Sequence, residues 1–228
     1  MLAGGERYHI SNRGAHRQAI WKCVADYERF LLLLYLNNTR YHVVMRDVLS
    51  KYSAMRFKGA YFEQIFRHEY CDKSLVDILG YCLMPDSFDL ILRPKTGTSI
   101  QTFMQKVCGA YSMYFNRKYK HSGTLFEGRY AAKHIESDER FQEVLASIHL
   151  SPIELLQPDW KEVGIRNKRK ARTHIKEYRY SSLLDSSMER PQREILADGI
   201  ATHQSDTNQL EELLRWGGEL SNTKVRPM

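Results

Sequence analysis

Two stretches of the chain bring together residue types that do chemistry jointly. Between Asn116 and His134, five basic residues (Arg117, Lys118, Lys120, Arg129 and Lys133) stand against one acidic residue, Glu127. Tyr114, Phe115, Tyr119, Phe126 and Tyr130 are interleaved with them or flank them. Cations neutralise phosphates and aromatic faces stack on unpaired bases, so the mixture suits a single-stranded nucleic acid. The same composition describes a solvated charged face over an ordinary aromatic core. Between Lys161 and Tyr180, eight basic residues, Arg169 and Lys170 among them, face two acidic ones, Glu162 and Glu177. Such a run either grips a nucleic-acid stem or is simply solvated. Arg13 and Arg17, with His16, follow an apparent first strand and either touch a phosphate or sit at the surface. The nine histidines include no His-x-His. The four cysteines, Cys23, Cys71, Cys82 and Cys108, have no CxxC spacing, so buried reduced thiols are expected rather than a zinc or redox site.

The elements that must position these residues can be read from apolar periodicity. Tyr8 to Ser11 reads as an opening strand, and Asn12-Arg13-Gly14 as a turn. Asp26 is placed to cap a helix over Tyr27 to Leu36, stopped by Asn37-Asn38. Arg40 to Asp72 shows no clean period and reads as irregular or partly helical. Val76 to Met84 and Phe88 to Leu92 flank Pro85-Asp86 and form an antiparallel hairpin. Ile100, Phe103, Met104, Val107, Tyr111, Tyr114 and Phe115 make one face of a helix ending near Tyr119. Leu125 to Ile135 reads as a strand. A helix then runs from Ser137 to about His149 and ends at Pro152. The order β-α-β-β-α-β-α predicts an α+β, ferredoxin-like sandwich with a central antiparallel sheet. The expected division is a core over residues 1–160 and a basic, partly helical extension over 161–228, with a last helix at Gln209 to Trp216.

The chain has 228 residues, 43% of them hydrophobic and 27% charged, which excludes a largely disordered or fibrous protein. Its net charge of +7 favours a polyanionic partner. The longest apolar run, Phe30 to Leu34, falls far short of the ~20 residues that span a bilayer. Met1 to Arg7 has no apolar signal core, so no membrane partner and a cytoplasmic location are expected.

Five strings, in order, resemble the REP-associated tyrosine transposases of the IS200-like single-strand transposase superfamily. They are Tyr8 to Gly14 (YHISNRG), Tyr81 to Leu92 (YCLMPDSFDLIL), Tyr114 to Arg129 (YFNRKYKHSGTLFEGR), Ile148 to Pro152 (IHLSP) and Glu177 to Ser182 (EYRYSS). The resemblance spans roughly Gly4 to Asp185. It implies cutting and rejoining of single-stranded DNA beside hairpins, through a covalent 5′-phosphotyrosine. It also implies a divalent metal, Mg²⁺ or Mn²⁺, on a His-hydrophobic-His strand. Alternate strand residues share a face, so two imidazoles so spaced reach one ion. A polar residue one helical turn after the tyrosine completes the shell.

At those positions this chain differs. The two metal-histidine positions are Ser87 and Asp89, the tyrosine position is Ser147, and the polar position a turn later is Ser151. One carboxylate does not make a Mg²⁺ or Mn²⁺ site, and a serine alkoxide needs a base or a metal, neither of which the sequence reveals. Rescue by Tyr111, Tyr114 or Tyr119 on the preceding helix is an alternative to core packing or base stacking. His149 lies on a different helix face from Ser147 and is expected to pack the helix or contact a phosphate. The reading is therefore a transposase-family protein that binds hairpin-forming single-stranded DNA, with strand transfer lost and no metal bound. The alternatives are an active transposase with an altered site and a scaffold that keeps only the fold. Arg13, Arg117, Lys118, Lys120, Arg129, Lys133, Arg169 and Lys170 are the expected DNA contacts, on a monomer or a homodimer.

Overall fold

The computed structural model describes residues 3–51, 65–66, 69, 72–187 and 190–197. In chain order they form β1 (Arg7–Arg13), α1 (Val24–Leu36), α2 (Met45–Lys51), β2 (Val76–Met84), β3 (Ser87–Pro94), α3 (Ser99–Tyr119), β4 (Ala131–Ile135), α4 (Asp138–Leu150), α5 (Trp160–Val163), α6 (Lys168–Glu177) and α7 (Leu183–Ser187). The sheet order is β2-β3-β1-β4, and every neighbouring pair is antiparallel. This is the ferredoxin-like α+β arrangement expected from the element order.

Strand alternation sends side chains to two separate layers. Tyr8, Ile10, Phe88, Leu90, Leu92 and Tyr81 pack beneath α1 and α3 in the main core. Ile91, Leu79, Cys82 and Ile135 face the other way and receive Val144, Leu145 and Ile148 of α4. The unbroken apolar β2 is buried at every residue because both of its faces are covered. A bulge between Ile78 and Gly80 puts the glycine under α4. A β-carbon there would stand 2.6 Å from the Leu145 side chain, so Gly80 lets the helix sit close to the sheet.

Several boundaries differ from the sequence reading. α1 begins at Val24 with Cys23 as its N-cap, and Asp26 lies inside the first turn and reaches back to the Cys23 N–H. A carboxylate three residues into a helix satisfies the same free amide that a capping side chain would, so the two arrangements look alike in sequence. The expected strand over Leu125 to Ile135 shrinks to Ala131–Ile135, because Gly128 turns at φ +75 and Phe126 makes only an isolated bridge to Gly14. The end of α4 agrees with the reading: the helix closes at Leu150, and Pro152 sits in the 3-10 turn that follows, Ser151–Leu155, at an early position where its missing N–H costs nothing. Cys23 is exposed rather than buried, while Cys82 is buried and Cys108 nearly so, with its thiol pushed up to about 12 by burial. Much of Arg40 to Asp72 and all of Gln209 to Trp216 lie outside the described residues.

Residues beyond 160 share the core of the residues before it. The Leu83 N–H donates to Tyr180 O and the Ser182 N–H to Tyr81 O, both at 2.9 Å, so Tyr180 to Ser182 lie along the outer edge of β2. The Tyr81 hydroxyl donates to the fully buried Asp185 at 2.6 Å, and Arg190 pairs with the same carboxylate. Ile195 and Leu196 enter the main core. Among the described residues no helix is long and apolar enough to cross a membrane.

After β1 the chain doubles back through Gly14. Its N–H donates to Asp86 O at 2.7 Å, and the next N–H, of Ala15, donates to Leu125 O at 2.9 Å. A β-carbon at Gly14 would lie 2.1 Å from the Gln18 carbonyl oxygen, a backbone atom that cannot swing aside. Gly14→Ala is therefore expected to cost about 3 kcal/mol, the upper range for overpacking. The measurement is the thermal midpoint, with a fall of about 6–12 °C expected for a chain of this size; an unchanged midpoint would contradict the wedge.

Candidate functional site

The face of the sheet beneath α4 is only partly filled. Beside the apolar contacts of Val144 and Ile148 lies an open cleft of ≈ 410 Å³. β3 contributes Asp89, β1 contributes His9, β4 contributes Lys133, and α4 contributes Arg140, Glu143 and Ser147. Register explains the grouping. His9 stands opposite Lys133 on one side and Ile91 on the other, and Asp89 is two residues from Ile91 on the same face. On α4, Arg140, Glu143 and Ser147 recur every three or four residues and so share one side of the helix, and Ser151, its C-cap, continues that row.

The structure thus brings Asp89, Ser147, Ser151 and Lys133 to one place. Ser87, two residues before Asp89 on the same strand face and opposite Arg13 on β1, lies outside the cleft lining. The Ser151 hydroxyl is spent on the Ser147 carbonyl, to which it donates at 3.0 Å. The Ser147 hydroxyl has no hydrogen-bond partner among the described residues, so no base touches it.

His9 is the cleft residue that the sequence reading missed. Its Nε2 lies 2.7 Å from Asp89 Oδ1, and the two side chains are equally half-buried. The available signal was strand alternation: in Tyr8-His-Ile-Ser11, Tyr8 and Ile10 are core residues, so His9 must face the other layer.

The donor set does not fit the divalent cation that the resemblance implies. Asp89 and His9 are bonded to each other, and Ser87 and Ser151 are weak neutral ligands. Among the described residues no group of three or more His, Cys, Asp or Glu side chains could hold an ion. Lys133, Arg140 and Lys161 surround the cleft with positive charge, which repels a cation.

The basic-aromatic stretch divides. Helical spacing turns Tyr111, Phe115 and Tyr119 toward the main core, where Tyr111 and Phe115 are fully buried. Tyr114 and Tyr119 both donate to Asp26, at 2.9 and 2.7 Å. All three tyrosines sit on the layer opposite the cleft, so none can replace a nucleophile there, and the rings expected to stack on bases are packed instead. Lys118 is likewise engaged: its ammonium lies 2.6 Å from the fully buried Asp26 and 3.2 Å from the Cys23 sulfur. Burial opposes the Lys118 charge, but its bonds to Asp26 and the tyrosines outweigh this and raise its pKa.

Arg117, Lys120 and Arg129 remain exposed, with no ion-pair partner among the described residues. Arg13 is paired with Glu127 at the surface. Arg169 and Lys170 lie at the start of α6, beside Thr173 and His174, around a second cavity of ≈ 400 Å³. His149 is buried, with Nε2 2.9 Å from the Ser182 hydroxyl, and faces neither cavity. It packs the helix, as one of its two expected roles had it, and contacts no surface where a phosphate could sit. Burial pushes its pKa down to about 3.

The family model described as IS200-like transposase matches residues 35–149, half of the chain. No curated protein matches. A solved structure described as the REP-associated tyrosine transposase bound to a REP hairpin resembles the chain with a TM-score of 0.42 and 8% identity, over 80% of this chain and 79% of that one. The matched residues take in β2, β3, α3, β4 and nearly all of α4, the elements that build most of the cleft, and the chain belongs to the IS200-like transposase family.

Proposed function

We propose that this protein binds hairpin-forming single-stranded DNA and no longer carries out metal-dependent strand transfer through a phosphotyrosine. The observation that carries the reading is the state of the nucleophile position. Ser147, which the resemblance puts there, lines the cleft with its hydroxyl bonded to no base among the described residues, and Lys133, Arg140 and Lys161 stand around it where a metal site would need further ligands. A serine hydroxyl must lose its proton to attack phosphorus, and nothing in contact with it can take that proton. The retained cations support binding. Arg117, Lys120 and Arg129 are exposed without ion-pair partners among the described residues, and Arg169 and Lys170 project from α6. Each phosphate neutralised releases counterions, so binding should fall steeply with salt.

A labelled hairpin with single-stranded flanks, incubated with Mg²⁺ or Mn²⁺ and run on native and denaturing gels, tests both halves. A shifted band with intact DNA is expected. A cleaved strand carrying covalently attached protein would show that the cleft works with unfamiliar residues. No salt-sensitive shift at all would leave a scaffold that keeps only the fold.

A further inference from the structure

The open cleft beneath α4 is lined by charged side chains, and their pairing bears on what it can bind. Two carboxylates line it and each is answered. Asp89 is bonded to His9 at 2.7 Å, and Glu143 to Arg140 at 2.6 Å along one turn of α4. Lys161, at the far rim, lies 3.6 Å from Glu154. Lys133 is left over. It is exposed on β4, directly opposite His9 in the strand register, and its ammonium has no partner among the described residues. Paired residues across antiparallel strands hold their β-carbons about 5 Å apart, so Lys133 and His9 flank one spot. An unpaired ammonium beside an imidazole, in a cleft whose two carboxylates are already hydrogen-bonded to His9 and Arg140, is a site for an anion. At ≈ 410 Å³ the cleft has room for a phosphodiester with part of its sugar.

We propose that this cleft binds a backbone phosphate of single-stranded DNA on Lys133, with His9 held beside it by Asp89, and that it does so without a divalent cation. The inference rests on the DNA-binding reading above and adds where the flanking single strand sits and what replaces the ion. A fixed ammonium supplies one positive charge where two would come from the metal, enough to hold a phosphate and too little to activate it for attack.

Fluorescence anisotropy with two labelled probes tests this, one a hairpin with single-stranded flanks and the other the bare stem. Each is titrated with the wild-type chain and with Lys133→Gln, in EDTA and in millimolar Mn²⁺. Lys133 is exposed, so the substitution leaves the fold in place. The flanked probe is expected to bind equally in EDTA and in Mn²⁺. Lys133→Gln should weaken it several-fold and lower the slope of log affinity on log salt by about 1. The bare stem should be unaffected by the substitution. Inorganic phosphate as competitor separates the two sources of the anion. Competition against the flanked probe at millimolar levels, beyond that of chloride at equal ionic strength, would identify a free-phosphate site and overturn the assignment to DNA, and no such excess supports it. Stronger binding in Mn²⁺, or an unchanged flanked probe with Lys133→Gln, would overturn the inference while leaving hairpin binding standing. Failure of the wild type to bind either probe would overturn both.

Discussion

Asp26→Ala is expected to cost about 4 kcal/mol of folding stability, a large share of the 5–15 kcal/mol of a typical domain. The carboxylate is fully buried and accepts five hydrogen bonds: from the Lys22 and Cys23 N–H groups at 2.8 and 3.2 Å, the Tyr119 and Tyr114 hydroxyls at 2.7 and 2.9 Å, and the Lys118 ammonium at 2.6 Å. Lys118 can turn to water when Asp26 is lost, because its side chain is about a third exposed. The two backbone amides and the tyrosine hydroxyls have less freedom. Each buried donor left without an acceptor costs roughly 1–3 kcal/mol, so two such losses reach the expected figure. Burial alone would raise the Asp26 pKa, but the bonds from Lys118, Tyr119, Lys22 and Tyr114 outweigh it, and the net shift is downward. A depressed folded pKa means that the carboxylate's contribution is complete above its unfolded value near 3.9 and is lost as pH falls through the folded one. Urea midpoints for the wild type, Asp26→Ala and Asp26→Asn at pH 7 and pH 3 check both points. A loss below about 1 kcal/mol at neutral pH would mean that the cluster is loosely held.

His149 governs a different pH range. It is buried and its pKa is pushed down to about 3, so the folded chain keeps the imidazole neutral while the unfolded chain protonates it near 6.5. The unfolded state then binds more protons below pH 6.5, and stability falls as pH drops from there toward 3. Between pH 7 and pH 5 the loss from this group alone comes to about 2 kcal/mol. His149→Gln keeps a group able to bond Ser182 and cannot take up a proton. The variant should therefore show a flatter stability profile over that interval, even if it is less stable at pH 7. The comparison is of urea midpoints at pH 7, 6 and 5. Parallel profiles for the two proteins would show that the imidazole reaches water when it charges.

Where local pattern sufficed, the sequence was a good guide. The Pro85-Asp86 turn between two apolar runs located the central hairpin, and the spacing of Ile100, Phe103, Val107 and Tyr111 located α3. Asp89, Ser147 and Ser151 could be placed together only through the family resemblance, and the structure does bring them to one cleft. His9 was missed because its partner lies 80 residues away and only strand register joins them. The basic-aromatic stretch could not be resolved residue by residue for a related reason. Composition treats a lysine paired with a buried carboxylate and a lysine facing solvent alike, and Lys118 and Lys120, two residues apart, differ in just this way. The start of α1 was missed because Asp26 satisfies an amide from inside the helix rather than from its cap position.

The strand-like contact of Tyr180 to Ser182 with β2 has a consequence for how the chain is made. Until that segment leaves the ribosome, β2 offers an apolar edge with unpaired amides and carbonyls at Tyr81 and Leu83. Such an edge is a template for pairing with another chain. The partner arrives some hundred residues later in synthesis, as the separation of Tyr81 and Ser182 by 101 positions records. At ≈ 5–20 residues per second the gap lasts seconds, which is long for a small domain. A nascent chain halted near residue 160 therefore exposes an aggregation-prone edge, which Tyr180 to Ser182 cover first and Ala197, through its N–H on Ile78 O, covers afterwards.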